Sequence, residues 1–194
     1  MIPCRSVNHI FLMGPKHSGK TSAGKALALL YSCDFIDLDD LILHKTGKTP
    51  RQLFYEDPGI FKNAETEAIS SYITRSGADN NNERLCIIAA GGGITDNPEA
   101  AAFFKKRQKG AVRVYLNISA ETAWARITDC TDGGQTGVEL PPFLKTGNPG
   151  ETHSRLHERR AADCLKYADI VIEAEGKTPQ EIAEAIFTAI NLHG

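Results

Sequence analysis

Short strand-like runs alternate with amphipathic stretches along the whole chain, and this alternation predicts the architecture. Runs at 9–13, 34–37, 85–90, 112–117 and 170–173 read as strands, bounded by turn residues or helical patterns. Apolar positions at helical spacing predict helices over 21–31, 41–46, 50–56, 59–75, 98–109, 120–128, 152–167 and 179–192. Strands separated by helices pair in parallel, since a parallel pair needs a crossover connection. The expected fold class is α/β, a three-layer α/β/α sandwich around a central five-stranded parallel sheet. Ligands of such sheets bind beyond the carboxyl ends of the strands. The residues that follow each strand are therefore where chemistry is expected.

After the first strand run come Gly14, Pro15, Lys16, His17, Ser18, Gly19, Lys20 and Thr21. Gly, four residues, then Gly-Lys-Thr between a strand and a helix is the pattern of a phosphate-binding loop. Its glycines let the backbone pass close to a ligand, and successive N–H groups form a nest for an anion at the helix N-terminus. The loop predicts binding of a nucleoside triphosphate. Lys20 is expected to bridge the two outer phosphates and the Thr21 hydroxyl to ligate Mg²⁺. The His17 side chain is expected to point outward, because backbone groups do the cradling.

After the second run come Asp37 and Asp39. On an extended chain these share one side while Leu38 points away. One can hold a magnesium-bound water and the other can accept a proton from a hydroxyl, or position it. Asp40, directly before the predicted helix, suits the helix cap. After the third run come Gly91, Gly92 and Gly93, where close backbone approach would offer N–H groups to a ligand carboxylate or hydroxyl. The segment from about 128 to 152 is rich in Gly, Thr, Pro and Asp, and reads as a lid. Beyond it, Arg155 and Arg159 share a helix face, whereas Arg160 lies about 100° around from Arg159. At least one of the three is expected to be a solvated charge. Glu65 is expected either to pair with Lys62 or Arg160 or to solvate its helix. Trp124 is expected in the core.

Composition narrows the partners. A chain of 194 residues, 41% hydrophobic and 24% charged, suits one domain over 1–194. A formal net charge of −2 provides no general attraction to nucleic acid or to an anionic membrane. The one basic cluster, at 105–109, complements a helix C-terminus. The five cysteines are scattered without a Cys-x-x-Cys pair, which argues against a zinc site and for a reducing compartment. No apolar stretch approaches a membrane span, and the N-terminus lacks a signal pattern. A cytoplasmic monomer without nucleic-acid or membrane partners is expected.

The phosphate loop, Asp37 and Asp39, Thr46 and Gly47, Phe61 and Lys62 followed by Glu65, the three glycines, and Arg160 ahead of Tyr167, Ala168 and Asp169 occur in one order. That order resembles the shikimate kinase family of P-loop enzymes, within the nucleoside monophosphate kinase fold, over about residues 8 to 190. The resemblance implies transfer of the γ-phosphoryl of MgATP to the 3-hydroxyl of shikimate, in aromatic amino acid biosynthesis. It implies that Asp39 meets the reacting hydroxyl and that Asp37 holds a magnesium-bound water. Gly91, Gly92 and Gly93 would line the acceptor pocket, a region at about 39–78 would help bind the acceptor, Arg160 would grip its carboxylate, and Arg126 would lie against the adenine.

Two departures from the family pattern bear on the acceptor. The usual arginine before the glutamate is Lys62 here, a point charge in place of a fork that binds a carboxylate through two hydrogen bonds. The usual lid arginine is replaced by Pro141. Such an arginine is worth about 10³–10⁵ in rate in comparable enzymes, on the order of 4–7 kcal/mol. Lys145 and Arg155 are the nearby cations expected to substitute. Rival expectations are a kinase of the same fold acting on another hydroxy acid, such as gluconate, and a nucleotide-binding regulator of weakened activity.

Overall fold

In the computed structural model of the chain, residues 7–78, 85–106, 110–132 and 148–192 are described; Pro141, Lys145 and most of the expected lid lie outside them. In chain order the elements are β1 (His9–Met13), α1 (Lys20–Tyr31), β2 (Asp34–Asp37), α2 (Leu38–Thr46), α3 (Pro50–Glu56), α4 (Pro58–Ala78), β3 (Cys86–Ala89), a 3-10 turn (Ile94–Asp96), α5 (Pro98–Lys105), β4 (Ala111–Asn117), α6 (Ala120–Asp132), α7 (Pro149–Tyr167), β5 (Ile170–Glu173) and α8 (Pro179–Leu192). All five strands are parallel, in the order β2-β3-β1-β4-β5. The first strand is thus the middle one, and the phosphate loop leaves the sheet at its centre.

Two cores form because side chains alternate across the sheet. Ile10 and Leu12 of β1 join Ile87 of β3 and Val114 of β4 on one face. There they meet Leu27 of α1 and Ile182 and Ile186 of α8. Phe11 and Met13 point the other way, with Ile88 and Tyr115, toward Ile42, Ile69, Phe104 and Cys164 of four other helices. Near-continuous apolar strands such as β1, buried at every position, are what a sheet covered on both faces requires. Among the described residues no helix is long and apolar enough to cross a membrane.

Helix boundaries follow their caps. Thr49 and Gln52 close a reciprocal capping box ahead of α3, with Pro50 in its first turn. Asn97 and Asn148 each cap a helix whose first turn contains proline, α5 and α7. Asn148 therefore starts α7 at Pro149, three residues before the expected start, while α6 continues to Asp132. The expected loop at 128–152 is shortened from both ends. Helix α2 also begins early. It starts at Leu38, and Asp37, not Asp40, is its cap. Asp37 and Asp39 are therefore related by a helical first turn rather than by strand alternation.

An ion pair with a buried guanidinium and a partly exposed carboxylate ties β4 to the start of β5. Arg113 Nε and Nη2 each donate to Asp169 at 2.7 Å, and the Arg113 backbone N–H donates to the same carboxylate at 2.9 Å. A third guanidinium nitrogen, Nη1, donates to the Phe104 carbonyl, and Arg113 is 4% exposed. Removing one partner of such a pair leaves an uncompensated buried charge. Asp169→Asn is expected to cost about 3–5 kcal/mol, read from the midpoint of urea unfolding.

Candidate active site

Three positive-φ residues shape the phosphate loop: Gly14 at 151°, His17 at 61° and Gly19 at 93°. Histidine is among the few residues besides glycine that tolerate this region. Gly19 is the last residue before α1, so the unpaired N–H groups of the first turn open onto the loop. Lys20 is buried, and its Nζ donates to the Gly14 carbonyl at 3.0 Å and to the Pro15 carbonyl at 2.8 Å. Burial brings its ammonium down to about 8, against the pull of the Asp39 and Asp37 carboxylates, so it is still a cation at neutral pH. Ser18 Oγ is buried inside the loop without a protein partner. The open first turn of α1, the Lys20 cation and the orphaned Ser18 hydroxyl together fit a polyphosphate.

The next strand end meets the start of α1 through a hydrogen bond. Thr21 Oγ1 donates to Asp37 Oδ2 at 2.6 Å, while Asp37 Oδ1 accepts from the Asp39 backbone N–H at 3.0 Å. A hydroxyl and a carboxylate side by side are hard oxygen donors, the kind that Mg²⁺ takes. Asp39 stands in the wall of a cavity of about 770 Å³ that also reaches Lys20 and Thr21. Desolvation first, and the Asp37 carboxylate second, raise its carboxyl above the ordinary value, with Lys20 and Lys16 opposing. A carboxylate displaced upward in this way is a better proton acceptor than a free one.

The three glycines lie where backbones and side chains converge. A Cβ on Gly91 would sit 3.2 Å from Glu65 Oε1 and 3.3 Å from Asp39 Oδ1. One on Gly92 would come within 2.9 Å of the Lys16 backbone nitrogen, closer than real Cβ contacts allow. Pairing of β3 beside β1 is the reason: both strand ends empty into the same space. Arg160 comes over Gly93 from α7 and donates to Asp96 Oδ2 from Nη2 at 2.6 Å and from Nε at 3.0 Å. Lys62 is exposed in the same cavity wall. Arg126 Nη1 donates to the His17 carbonyl at 2.7 Å, which attaches α6 to the loop.

Lys20, Thr21, Asp37, Asp39, Lys62, Gly92, Gly93, Arg126 and Arg160 line one cavity, and Gly91 adjoins Asp39 beside it, but several expected residues behave otherwise. His17 is half-buried and faces the cavity; burial, then Lys16, lower its pKa, so the ring is neutral at pH 7. Glu65 pairs with neither Lys62 nor Arg160 and does not solvate its helix. It is 3% exposed and accepts from Asn97 Nδ2 at 3.0 Å, and burial pushes its carboxyl up to about 7. Arg155 pairs with Glu151 on the outside of α7, its side chain 76% exposed, away from the cavity wall. Trp124 is half-buried with its ring 5.3 Å from that of His153.

Sequence reasoning missed Asp96 and Asn97 altogether. The Asn97-Pro98 pair is a recognisable helix start, and its side chain does cap α5, accepting from the Glu99 and Ala100 N–H groups. Nothing local revealed that the same side chain also donates to Glu65 and to the Lys62 carbonyl, the latter at 2.8 Å.

Comparisons with known proteins point to one family. The family model for shikimate kinase matches residues 16–191. A shikimate kinase of Sulfurihydrogenibium sp. is 30% identical, over 95% of this chain and 98% of the relative. One from Thermodesulfovibrio yellowstonii is 29% identical over 93% of each chain. Among solved structures, shikimate kinase from Acinetobacter baumannii in complex with shikimate superposes with a TM-score of 0.79 at 26% identity, covering 96% of this chain and 94% of that one.

Two measurements check the site. Gly92→Ala is expected to push the phosphate loop aside and weaken MgADP binding by about tenfold or more, a loss of about 1.4 kcal/mol, read by calorimetric titration. Glu65 titrates at 4.5 when unfolded and at about 7 when folded, so between those values the folded chain holds the extra proton. Stability contributed by this group is therefore lost as pH rises from 4.5 to 7. Glu65→Gln is expected to flatten that slope in urea unfolding curves taken at intervals across the window.

Proposed function

From the premise that the chain belongs to the shikimate kinase family, we propose that it transfers the γ-phosphoryl of ATP to the 3-hydroxyl of shikimate. Membership brings ATP and Mg²⁺ with it, and the loop and the Thr21–Asp37 pair have the donor sets that each requires. The carrying observation is Asp39, its carboxylate raised in basicity and set beside Gly91 in the cavity that also reaches Lys20. In the proposed reaction the hydroxyl oxygen of shikimate bonds to the γ-phosphorus, the bond from that phosphorus to the bridging oxygen breaks, and Asp39 takes the hydroxyl proton. Bound Mg²⁺ supplies charge neutralisation at the phosphates.

The chain's own residues do the positioning. Lys20, a cation at neutral pH, would neutralise charge at the outer phosphates, and the loop N–H groups from Lys16 onward would hold the others. Asp37, already bonded to Thr21, would orient a magnesium-bound water. Gly91, Gly92 and Gly93 would line the acceptor pocket beside the loop, and Lys62 and Arg160 would receive the acceptor's carboxylate. Arg126, bonded to the loop at His17, would lie against the adenine and offer its guanidinium for stacking. Positioning of this kind supplies most of the catalysis in phosphoryl transfer.

A coupled ADP-release assay with shikimate, gluconate and related hydroxy acids tests the reading. Turnover on shikimate is expected; turnover only on another acid reassigns the acceptor, and none on any acid leaves a nucleotide-binding regulator. Asp39→Asn is expected to lower kcat by about 10²–10⁴ while MgADP still binds, as checked by the same assay and a binding titration.

A further inference from the structure

Arg160 meets a carboxylate that belongs to the chain itself. Asp96 Oδ2 accepts both Nε and Nη2 of Arg160, one edge of the guanidinium fork. Its other oxygen, Oδ1, accepts from Arg159 Nη2 at 2.8 Å. The turn that carries Asp96 is anchored at both ends. The Asp96 N–H donates to the Gly93 carbonyl at 2.8 Å, and the next residue, Asn97, caps α5 and reaches Glu65. Asp96 and Arg160 both line the cavity that holds Asp39, Gly92 and Lys62.

We propose that Asp96 is a specificity-determining residue: a built-in carboxylate that occupies Arg160 and weakens the hold of the site on an anionic acceptor. This rests on the reading of Arg160 as the group that receives the acceptor's carboxylate. An edge of a guanidinium engaged by one carboxylate is not available to form parallel hydrogen bonds with a second. Asp96 also places a negative charge beside any acid that arrives, and like charges so placed oppose binding. Lys62 does not restore the lost fork, because an ammonium is a point charge. Among the described residues, this end of the cavity therefore favours an acceptor held through hydroxyl contacts to the glycines and Asp39 more than through its carboxylate.

The test is Asp96→Asn, which keeps an oxygen to accept from Arg160 and removes only the charge. The expected result is a KM for shikimate lowered by about three- to tenfold, with the change in KM rather than in kcat. KM should also rise more steeply with salt than in the wild type, and Asp96→Glu should restore the original value. A purely structural role for Asp96 predicts no such split. An unchanged or raised KM for shikimate in Asp96→Asn, with normal KM for ATP and a normal melt, overturns the inference and leaves the family activity standing. No turnover on shikimate by the wild type overturns the reading of the acceptor, and the inference with it. If Asp96→Asn does not melt cooperatively, Asp96→Ser is measured instead, and the same results decide.

Discussion

The Asp37 carboxylate joins two parts of the site that the chain makes separately. One oxygen accepts the Thr21 hydroxyl from the phosphate-loop helix, and the other caps α2 at the Asp39 N–H. The first bond sets where Asp37 stands relative to the loop; the second sets where α2 begins and therefore where Asp39 points. A short polar side chain at an N-cap commonly satisfies one orphan donor. Here it satisfies that donor and a hydroxyl on a neighbouring helix, so the nucleotide side and the acceptor side share one anchor. The sheet order makes this possible, because β2 and β1 flank β3 and all three end on the same side.

Charge in the cavity is arranged by burial as much as by pairing. Asp39 and Glu65 both lie above their ordinary values, mainly because protein surrounds them, and each also feels a neighbouring acid. Lys20 is shifted in the opposite direction for the same reason. An acid raised and a base lowered within one cavity is the arrangement that general acid–base chemistry uses near neutral pH. Asn97 supports it from behind. By donating to both Glu65 and the Lys62 carbonyl, it holds α4 against the turn that follows the three glycines. Arg113 and Asp169, by contrast, serve the scaffold: they join β4 to β5 on the side of the sheet away from β2.

The strands were readable because their patterns are local. Runs such as 9–13 and 170–173 carry strand chemistry within five residues, and the observed bounds of β1, β2 and β5 coincide with the expected ones. The phosphate loop was readable for a similar reason, since its function is built from consecutive backbone N–H groups. Helix starts were harder. Asp37 and Asp40 are both chemically suited to cap α2, and it is Asp37 that does so, with its other oxygen on Thr21.

What the amino-acid order determined alone is the class of the fold, its phosphate loop, and the acids and glycines that follow its strands. Each of these depends on neighbours in sequence, through φ preference, side-chain alternation and hydrogen-bond spacing. Only the tertiary structure decided that Asp96 takes Arg160 from 64 residues away, that Glu65 is buried against Asn97, and that Gly92 must lack a side chain because Lys16 lies against it. Those are contacts between segments brought together by strand order. Their energies come from burial and charge proximity, quantities that no local pattern encodes.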